Sequence, residues 1–187
     1  MASDPRNRPV IHMVVAMLIL MVPVAAISAW FTRYPEEGVV AAVDYRPLAA
    51  QAAPEASFEL LAPANLPEGW TCSRADWTPA GEPGPDGNPV PGDTWLLAFL
   101  TPAEQYIGLT QRGGDAAAEP FVRERTRDGA PDGSSTVEGA TWTRYLSEDG
   151  RTRSLVATRD AVTVVSGDLP YEALEAFAGT LAPAASG

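Results

Sequence analysis

The sequence predicts an α+β protein: one N-terminal transmembrane helix, followed by a mostly antiparallel sheet of about six to seven strands packed by two or three helices. Three observations support this prediction. An uncharged apolar stretch fills residues 10–31. Short strand-like runs separated by turn residues occupy most of the chain after it, and an apolar stripe with helical spacing comes near the end. At 187 residues, the chain has room for one globular domain and an anchor.

Residues 10–31 are long enough to cross a bilayer as a helix. They would span roughly 33 Å at about 1.5 Å per residue, against a hydrocarbon core of about 30 Å. Arg8 and Arg33 are the nearest charges on either side. Small residues at 26–28 would suit signal-peptide cleavage, but the stretch is longer than the apolar region of most signal peptides, which favours a retained anchor. We therefore predict a single-pass cell-membrane protein, with residues 1–9 as a cytoplasmic tail and the C-terminal domain outside.

The remaining chain is predicted to be one domain with short flanking segments. These parts are a juxtamembrane linker at 32–46, an extracytoplasmic α+β domain at 47–182 and a flexible tail at 183–187. The domain opens with an alanine-rich run after Pro47, a good first helical residue, which predicts a short helix over 47–53. An extended run at 58–61 and a strand over 70–77 follow.

Residues 79–93 contain five prolines and four glycines, a composition that is poorly suited to a sheet ladder and indicates a mobile loop. Within it, Asp86-Gly87-Asn88 is similar to the start of a calcium loop. No glutamate stands at the twelfth position, however, so turn chemistry explains these residues better. We predict no metal ion and no cofactor. A hairpin with strands over 94–101 and 105–112 comes next, and its first strand is apolar on both faces, as a central strand would be.

A helix is predicted to close the first half of the domain, and the second half repeats this order of strands followed by a helix. A helix around residues 118–125 is predicted from apolar spacing, and a loop rich in glycine, aspartate and serine follows at 128–135. The next strands are predicted over 137–146, 153–159 and 161–166. The final helix is predicted from Pro170 to Leu181 because four apolar residues share one of its faces. These residues are Leu174, Phe177, Ala178 and Leu181.

The charge distribution argues against one class of partner. Residues 34–187 hold ten arginines against 23 acidic residues, a net charge of −13 within a total of −11 for the chain. Such a surface repels phosphate backbones, so we expect no nucleic-acid partner.

Catalytic constellations are scarce in this sequence. The single histidine, His12, lies in the apolar stretch, and the chain has no lysine. Residues 34–187 therefore lack the groups for Ser-His-Asp triads, Schiff-base chemistry, phosphate-binding lysine loops and histidine-ligated zinc. The single cysteine, Cys72, excludes an intramolecular disulfide, and its strand-like surroundings favour a small buried hydrophobe. We name no catalytic residue and expect no enzyme, although two of the 23 carboxylates would suffice for a hydrolase.

Aromatic side chains offer a candidate surface for a ligand or a partner. Tryptophan and tyrosine residues on successive strands could form a platform for a sugar or a lipid, but more often they fill the core between a sheet and its helices. The candidates are Trp70, Trp95, Tyr106 and Trp142.

Several short motifs follow one another along nearly the whole chain. They are Val43-Asp44-Tyr45, Leu66-Pro67-Glu68-Gly69-Trp70, Thr94-Trp95, Tyr106-Ile107-Gly108-Leu109-Thr110-Gln111 and Val137-Glu138-Gly139-Ala140-Thr141-Trp142. In this order, after an N-terminal anchor, they resemble the actinobacterial membrane-anchored family called domain of unknown function 4245. The resemblance implies an envelope protein without an established activity, so it supplies no catalytic residue.

Together, these inferences favour a membrane-anchored extracytoplasmic envelope protein that acts as a non-catalytic interaction or structural module. Its expected partners are the membrane and other envelope proteins. A binding module for a small molecule, a lipid or a glycan is the alternative, and a carboxylate-based hydrolase is the third hypothesis.

Overall fold

The computed structural model describes residues 42–85, 87–114 and 118–184. In this part of the chain the helices are α1 (Arg46–Ala52), α2 (Ala118–Arg125) and α3 (Tyr171–Ala178). The strands are β1 (Leu61–Pro63), β2 (Thr71–Thr78), β3 (Thr94–Leu100), β4 (Tyr106–Gly113), β5 (Ala130–Val137), β6 (Ala140–Leu146), β7 (Arg153–Thr158), β8 (Ala161–Gly167) and β9 (Leu181–Pro183).

Seven strands form one antiparallel sheet in the order β2-β3-β4-β8-β7-β6-β5. Strands β3, β4 and β8 in its middle are buried along most of their length, as expected where both faces of a sheet are covered. Strands β1 and β9 form a separate antiparallel pair. The predicted α+β class, with an antiparallel sheet and three helices, is therefore confirmed for the described residues.

The predicted transmembrane segment at 10–31 lies outside the described residues. Across 42–85, 87–114 and 118–184, no helix combines the length and the apolar character that crossing a bilayer requires.

The main hydrophobic core lies on one face of the sheet, here called the front face, beneath α1, α3 and the β1–β9 pair. Aromatic rings connect these layers. The ring of Phe99 in β3 lies 5.8 Å from that of Tyr45 and 5.4 Å from that of Phe177 in α3, measured between centroids. Phe177 in turn stacks on Trp70 at an interplanar angle of 8°. Each such pair adds about 0.5–1.5 kcal/mol beyond area burial, so these contacts hold α3 to the sheet.

Helix α2 packs against the opposite face of the sheet, here called the back face. Alternate residues of β8 point to opposite faces, so Val165 joins the main core while Val162 and Val164 contact Phe121 of α2 in a smaller core. If the two halves were related by a twofold axis perpendicular to the sheet, between β4 and β8, both helices would lie on the same face. Because α2 and α3 lie on opposite faces, such an axis does not relate the two strand-and-helix halves.

Strand β5 is the largest departure from the sequence prediction. The residues at 128–135 indicate a loop, but Ala130–Val137 pair with β6 at the edge of the sheet. One side of an edge strand needs no hydrogen-bonding partner, so Pro131 and Gly133 are tolerated there. A register shift between Pro131 and Ser134 further relaxes the pairing at this point.

A tight turn divides the strand that the sequence predicts over 137–146. Glu138 and Gly139 both have positive φ, at 49° and 75°, the conformation of a two-residue hairpin turn whose twist suits the flanking strands. Val137 therefore ends β5, and Ala140 begins β6 opposite it.

The last helix is shorter than its apolar stripe predicts. Helix α3 ends at Ala178, and Leu181 instead begins β9, which pairs with β1. Leucine suits either element, so the stripe could not distinguish a final helical turn from a short strand. Pro183, which the sequence places in a C-terminal tail, belongs to β9, and the amide of Ala184 donates to the carbonyl of Leu60 at 2.8 Å.

The described part of the proline-rich loop at 79–93 is more regular than its composition predicts. The amide of Gly81 donates to the carbonyl of Val90 at 2.9 Å, and an isolated bridge joins Pro83 to Pro89. Val90 is buried and fixes the loop to the domain. The described residues of this folded-back loop join neither of the two sheets, as its composition predicts.

An ion pair ties α3 to the far strands of the sheet. Glu175 accepts a hydrogen bond from the hydroxyl of Ser135 in β5 at 2.5 Å and one from the guanidinium of Arg144 in β6 at 2.6 Å. These donors stabilise the charged carboxylate, which lowers the pKa of Glu175 from its ordinary value. The outer strands are thus fastened to the helix by side chains rather than by core packing alone.

Candidate functional site

One cross-strand row on the front face sets the geometry of the candidate site. Its members are Gln111 of β4, Thr163 of β8, Ala157 of β7 and Trp142 of β6. Thr163 lies opposite both Gln111 and Ala157 in the ladder. The pairing of Thr143 with Val156 places Trp142 next to Ala157. Since alternate residues of a strand share a face, all four side chains are on the front face.

A cleft with a volume of about 200 Å³ lies over this row. Its depth comes from Ala157, whose methyl group stands between the larger side chains of Thr163 and Trp142. Leu61 and Leu181 of the β1–β9 pair line one wall. The end of α3 and the β5–β6 turn line the other. The cleft is therefore the part of the front face that α3 and the β1–β9 pair leave uncovered.

Gln111 forms the polar end of the cleft, and its side chain is only 2% exposed. Its amide oxygen accepts a hydrogen bond from the backbone N–H of Leu61 at 2.7 Å. Its amide nitrogen donates to the carbonyl of Glu59 and to the hydroxyl of Thr163, both at 3.2 Å. Both N–H groups and the oxygen are thus engaged, as a buried amide requires. The hydrogen bonds of Gln111 therefore attach β1 to the large sheet.

Trp95 provides a second hydrogen bond between β1 and the large sheet at the same point. Its indole N–H donates to the carbonyl of Leu61 at 3.0 Å. Leu61 and Pro183 form a non-hydrogen-bonded pair of the β1–β9 ladder, because its hydrogen bonds lie at pairs such as Leu60–Ala184. The N–H and the carbonyl of Leu61 therefore point away from β9. Side chains of the large sheet therefore satisfy both backbone groups of Leu61, which fixes the wall of the cleft.

Charged residues border the mouth of the cleft. They are Glu59, Glu138, Arg159 and Asp160, all of them exposed. A carboxylate oxygen of Asp160 accepts a hydrogen bond from the backbone N–H of Glu59 at 2.8 Å, which brings the two acidic residues together. Glu138 is held at a φ of 49°, in the left-handed region that few residues other than glycine adopt. The described residues place three carboxylates and one guanidinium at the mouth, which favours a cationic group.

The four aromatic residues proposed from the sequence do not meet at one surface. Trp142, 6% exposed, lines the cleft, and Trp95 is fully buried beneath it. Trp70 is half-buried, and its ring stacks on Phe177 of α3 at the border of the main core. Tyr106 is 41% exposed at the opposite end of β4, and its ring lies against Gly108. Of the four, Trp142 alone borders the cleft.

Sequence reasoning missed the residues that build the cleft. Gln111, Ala157 and Thr163 are ordinary residues far apart in the chain, and only the strand register brings them together. One signal was present: Ile107, Leu109 and Gln111 alternate on one side of a strand, so a glutamine occupies a core position. A buried polar side chain must have hydrogen-bond partners, so this pattern marks a polar contact inside the fold.

Two further observations concern metal ligands and the carboxylates of the cleft. Among residues 42–85, 87–114 and 118–184, no three histidine, cysteine, aspartate or glutamate side chains are grouped so that they could hold a metal ion. The carboxylates at the mouth are exposed, whereas a catalytic acid with a raised pKa needs a dry, apolar environment.

Comparison with known proteins gives a family and a distant structural similarity. The family model described as "Protein of unknown function (DUF4245)" matches residues 6–181. No curated protein matched the chain. A solved structure, the complex of MucA and MucB from Pseudomonas aeruginosa, contains a chain similar to this one at 18% identity with a TM-score of 0.39. That similarity covers 67% of this chain and 35% of the other, so the chain spans about a third of the protein it matches. Because the family model matches almost the entire sequence, the chain belongs to the DUF4245 family of proteins of unknown function.

Proposed function

We propose that this protein is a membrane-anchored, extracytoplasmic and non-catalytic interaction module whose cleft receives a basic side chain of an envelope protein. The observation that carries this proposal is the cleft over Ala157, which combines a narrow interior with an acidic mouth.

The size of the cleft favours a side chain over a whole small molecule. Sites for drug-sized ligands usually have volumes of about 300–1,000 Å³. The cleft measures about 200 Å³, which suits one side chain or a similarly small group. A group of this size gains little affinity alone, so the rest of the binding energy would come from a larger molecule that presents it. A protein partner meets this requirement better than a free metabolite.

The lining of the cleft suits the two ends of an arginine or lysine side chain. The aliphatic stem would lie along Ala157 and the indole of Trp142, and its charged end would stay near the mouth. There, among the described residues, Glu59, Glu138 and Asp160 outnumber the one cation, Arg159. Exposed charge pairs contribute about 0–1 kcal/mol each, so they set the preference for a basic group more than the total affinity.

A small-molecule site is the second candidate, because an aromatic wall and buried hydrogen-bonding groups meet at Trp142, Gln111 and Thr163. Gln111, however, already uses its donors and its acceptor within the fold. This arrangement leaves few polar groups to orient a free ligand, and we therefore place the small-molecule function second.

The proposed location rests on the apolar residues at 10–31 and on the acidic composition that follows them. Cys72 supports a direct test, because it is 3% exposed and its burial raises the pKa of its thiol. The native cysteine should therefore react slowly with a membrane-impermeant thiol reagent.

We expect the Asn88→Cys variant of the full-length chain to be labelled by such a reagent in intact cells, because residue 88 is exposed in the loop. The unchanged chain, with Cys72 alone, is the matched control and should remain unlabelled. Labelling of the variant only after lysis would place the domain in the cytoplasm and contradict the proposed location.

A photo-crosslinking amino acid at position 159 should capture a discrete protein partner in native membranes, whereas the same group at position 151 should not. Arg159 and Arg151 are both exposed, and they flank opposite ends of β7, so only the first lies at the cleft. Filling the cleft by Ala157→Leu should reduce the adduct at position 159 by about tenfold, since loss of a buried side-chain contact costs about 1–3 kcal/mol.

Two further variants make this experiment decisive. Ala140→Leu fills the same cleft from β6 and should act like Ala157→Leu, while Ala176→Leu on the exposed side of α3 should leave the adduct unchanged. Circular dichroism of each variant checks that it is folded. An adduct of equal yield in all of these variants would show that the partner binds elsewhere.

A further inference from the structure

We infer that the partner presents its basic side chain on an extended segment, which pairs with β9 as a third, antiparallel strand of the β1–β9 pair. This inference rests on the proposed function, because it specifies how the partner of the cleft is held. Within the described residues, β9 pairs with β1 alone, so its outer edge is open. Leu181 and Pro183 of β9 both line the cleft, which places this edge beside it.

The register of the β1–β9 pair determines which backbone groups the open edge offers. The amide of Ala64 donates to the carbonyl of Thr180 at 2.9 Å. Hydrogen-bonded and non-hydrogen-bonded pairs alternate along an antiparallel ladder, so Leu181, the next residue, directs its N–H and its carbonyl away from β1. The carbonyl of Pro183, two residues further on, points the same way. In the described part of the chain, none of these three groups has a hydrogen-bond partner.

An incoming antiparallel strand would meet these groups in a fixed pattern. Its residue opposite Leu181 would exchange two hydrogen bonds with it, and the residue two positions away would donate its N–H to the carbonyl of Pro183. Residues directly opposite each other share a face of the sheet, so the side chain opposite Leu181 would lie over the cleft. The backbone contacts would thus place one side chain of the partner at the site of the proposed function.

The two faces of the β1–β9 pair differ in chemistry, and this difference specifies the sequence of the segment. At the cleft, Glu59, Glu138 and Asp160 favour a basic residue. On the other face, Ala62 and Ala182 line a groove formed mainly by alanine and proline residues. Since successive residues of a strand point to opposite faces, the segment should have a basic residue between two apolar ones. Backbone pairing then supplies affinity, and the alternate side chains supply specificity.

The peptide acetyl-Ser-Thr-Val-Arg-Val-Thr-Ser-amide should bind the full-length chain in a neutral detergent with a Kd of about 0.1–2 mM. Tryptophan fluorescence reports the binding, because Trp142 lines the cleft. A methyl group on the backbone nitrogen of the peptide's arginine, whose N–H would donate to Leu181, should weaken binding at least about fivefold. The same methyl group on the following valine, whose N–H points away from β9, is the matched control and should weaken binding less than about twofold.

Amide hydrogen exchange, measured by NMR, locates the bound peptide. The N–H of Leu181 should exchange about tenfold more slowly when the peptide is present at about ten times its Kd. The N–H of Ala182 bonds to β1 in the free chain and should exchange slowly in both states. Unchanged exchange at Leu181 in the presence of bound peptide would overturn the inference, as would equal binding of the two methylated peptides.

Two comparisons separate this inference from the proposed function. Replacing the peptide's arginine with glutamine and filling the cleft by Ala157→Leu both test the basic side chain in the cleft, and each should weaken binding at least about threefold. If they do, but the two methylated peptides bind equally, the cleft is used and the pairing with β9 is wrong. If only the methylated peptides differ, the segment pairs with β9 and the proposed function of the cleft is wrong. A peptide that fails to bind at about 10 mM overturns the inference, and the adduct at position 159 then decides the proposed function alone.

Discussion

Replacing Gln111 with leucine should lower the free energy of unfolding by about 3 kcal/mol, because the new side chain fills the space but makes none of its hydrogen bonds. The variant leaves the N–H of Leu61 and the carbonyl of Glu59 without the partners that they have in the native fold. These groups are partly buried, and losing the partner of such a group costs about 1–3 kcal/mol each, while the gain from burying leucine offsets part of this cost. Urea unfolding of the full-length chain in a neutral detergent, followed by circular dichroism, measures the difference.

Two matched variants separate the contribution of the hydrogen bonds of Gln111 from general effects of substitution. Gln51→Leu makes the same change at an exposed position of α1 and should stay within about 0.5 kcal/mol of the native chain. Thr163→Val removes one of the hydrogen bonds of Gln111 and should cost about 1 kcal/mol. A loss below about 1 kcal/mol for Gln111→Leu would mean that β1 is held by the contacts of Trp95 and β9 instead.

The elements with strong local signals were predictable from the sequence. The hairpin of β3 and β4 is marked by two strand-like runs around a short turn, and its apolar residues place it in the centre of the sheet. Helix α3 is marked by its apolar stripe, and Cys72 is buried in β2 as its surroundings predict. In each case, the residues that determine the structure are neighbours in the chain.

The missed elements are those whose pairing partner decides the structure. Residues 130–135 have turn-like composition, and they become a strand because β6 offers them an unpaired edge. Leu181 belongs to β9 rather than to α3 because β1 provides a strand with which it pairs. Such competition between local preference and tertiary pairing is not visible in a window of sequence.

The candidate site was harder to predict than the fold, for a related physical reason. Its floor is a row of residues from four strands, and a cleft exists there because Ala157 is small beside Trp142 and Thr163. No local pattern marks an alanine as the base of a cavity. The sequence did identify Trp142 as a candidate contact, but the strand register was needed to show which neighbours it has.

Replacing Phe177 with alanine should have the largest effect on stability, a loss of about 4 kcal/mol, because it opens a cavity in the centre of the main core. The ring is 2% exposed and contacts both Phe99 and Trp70. Phe177→Leu keeps most of the volume and should lose about 1.5 kcal/mol or less. Thermal and urea unfolding of the full-length chain measure these differences, and a loss below about 2 kcal/mol for the alanine variant would contradict the central role of this ring.

The near-ultraviolet circular dichroism of the same variants tests how Trp70 is used. Trp70 stacks on Phe177, so Phe177→Ala should weaken the tryptophan signal of the folded chain. Phe121→Ala removes a buried ring of equal size from the back face and should destabilise the chain without altering the surroundings of Trp70. If both variants change the signal equally, the two cores are not separate. If only Phe177→Ala does, the face of the Trp70 ring that stacks on Phe177 serves the main core through α3.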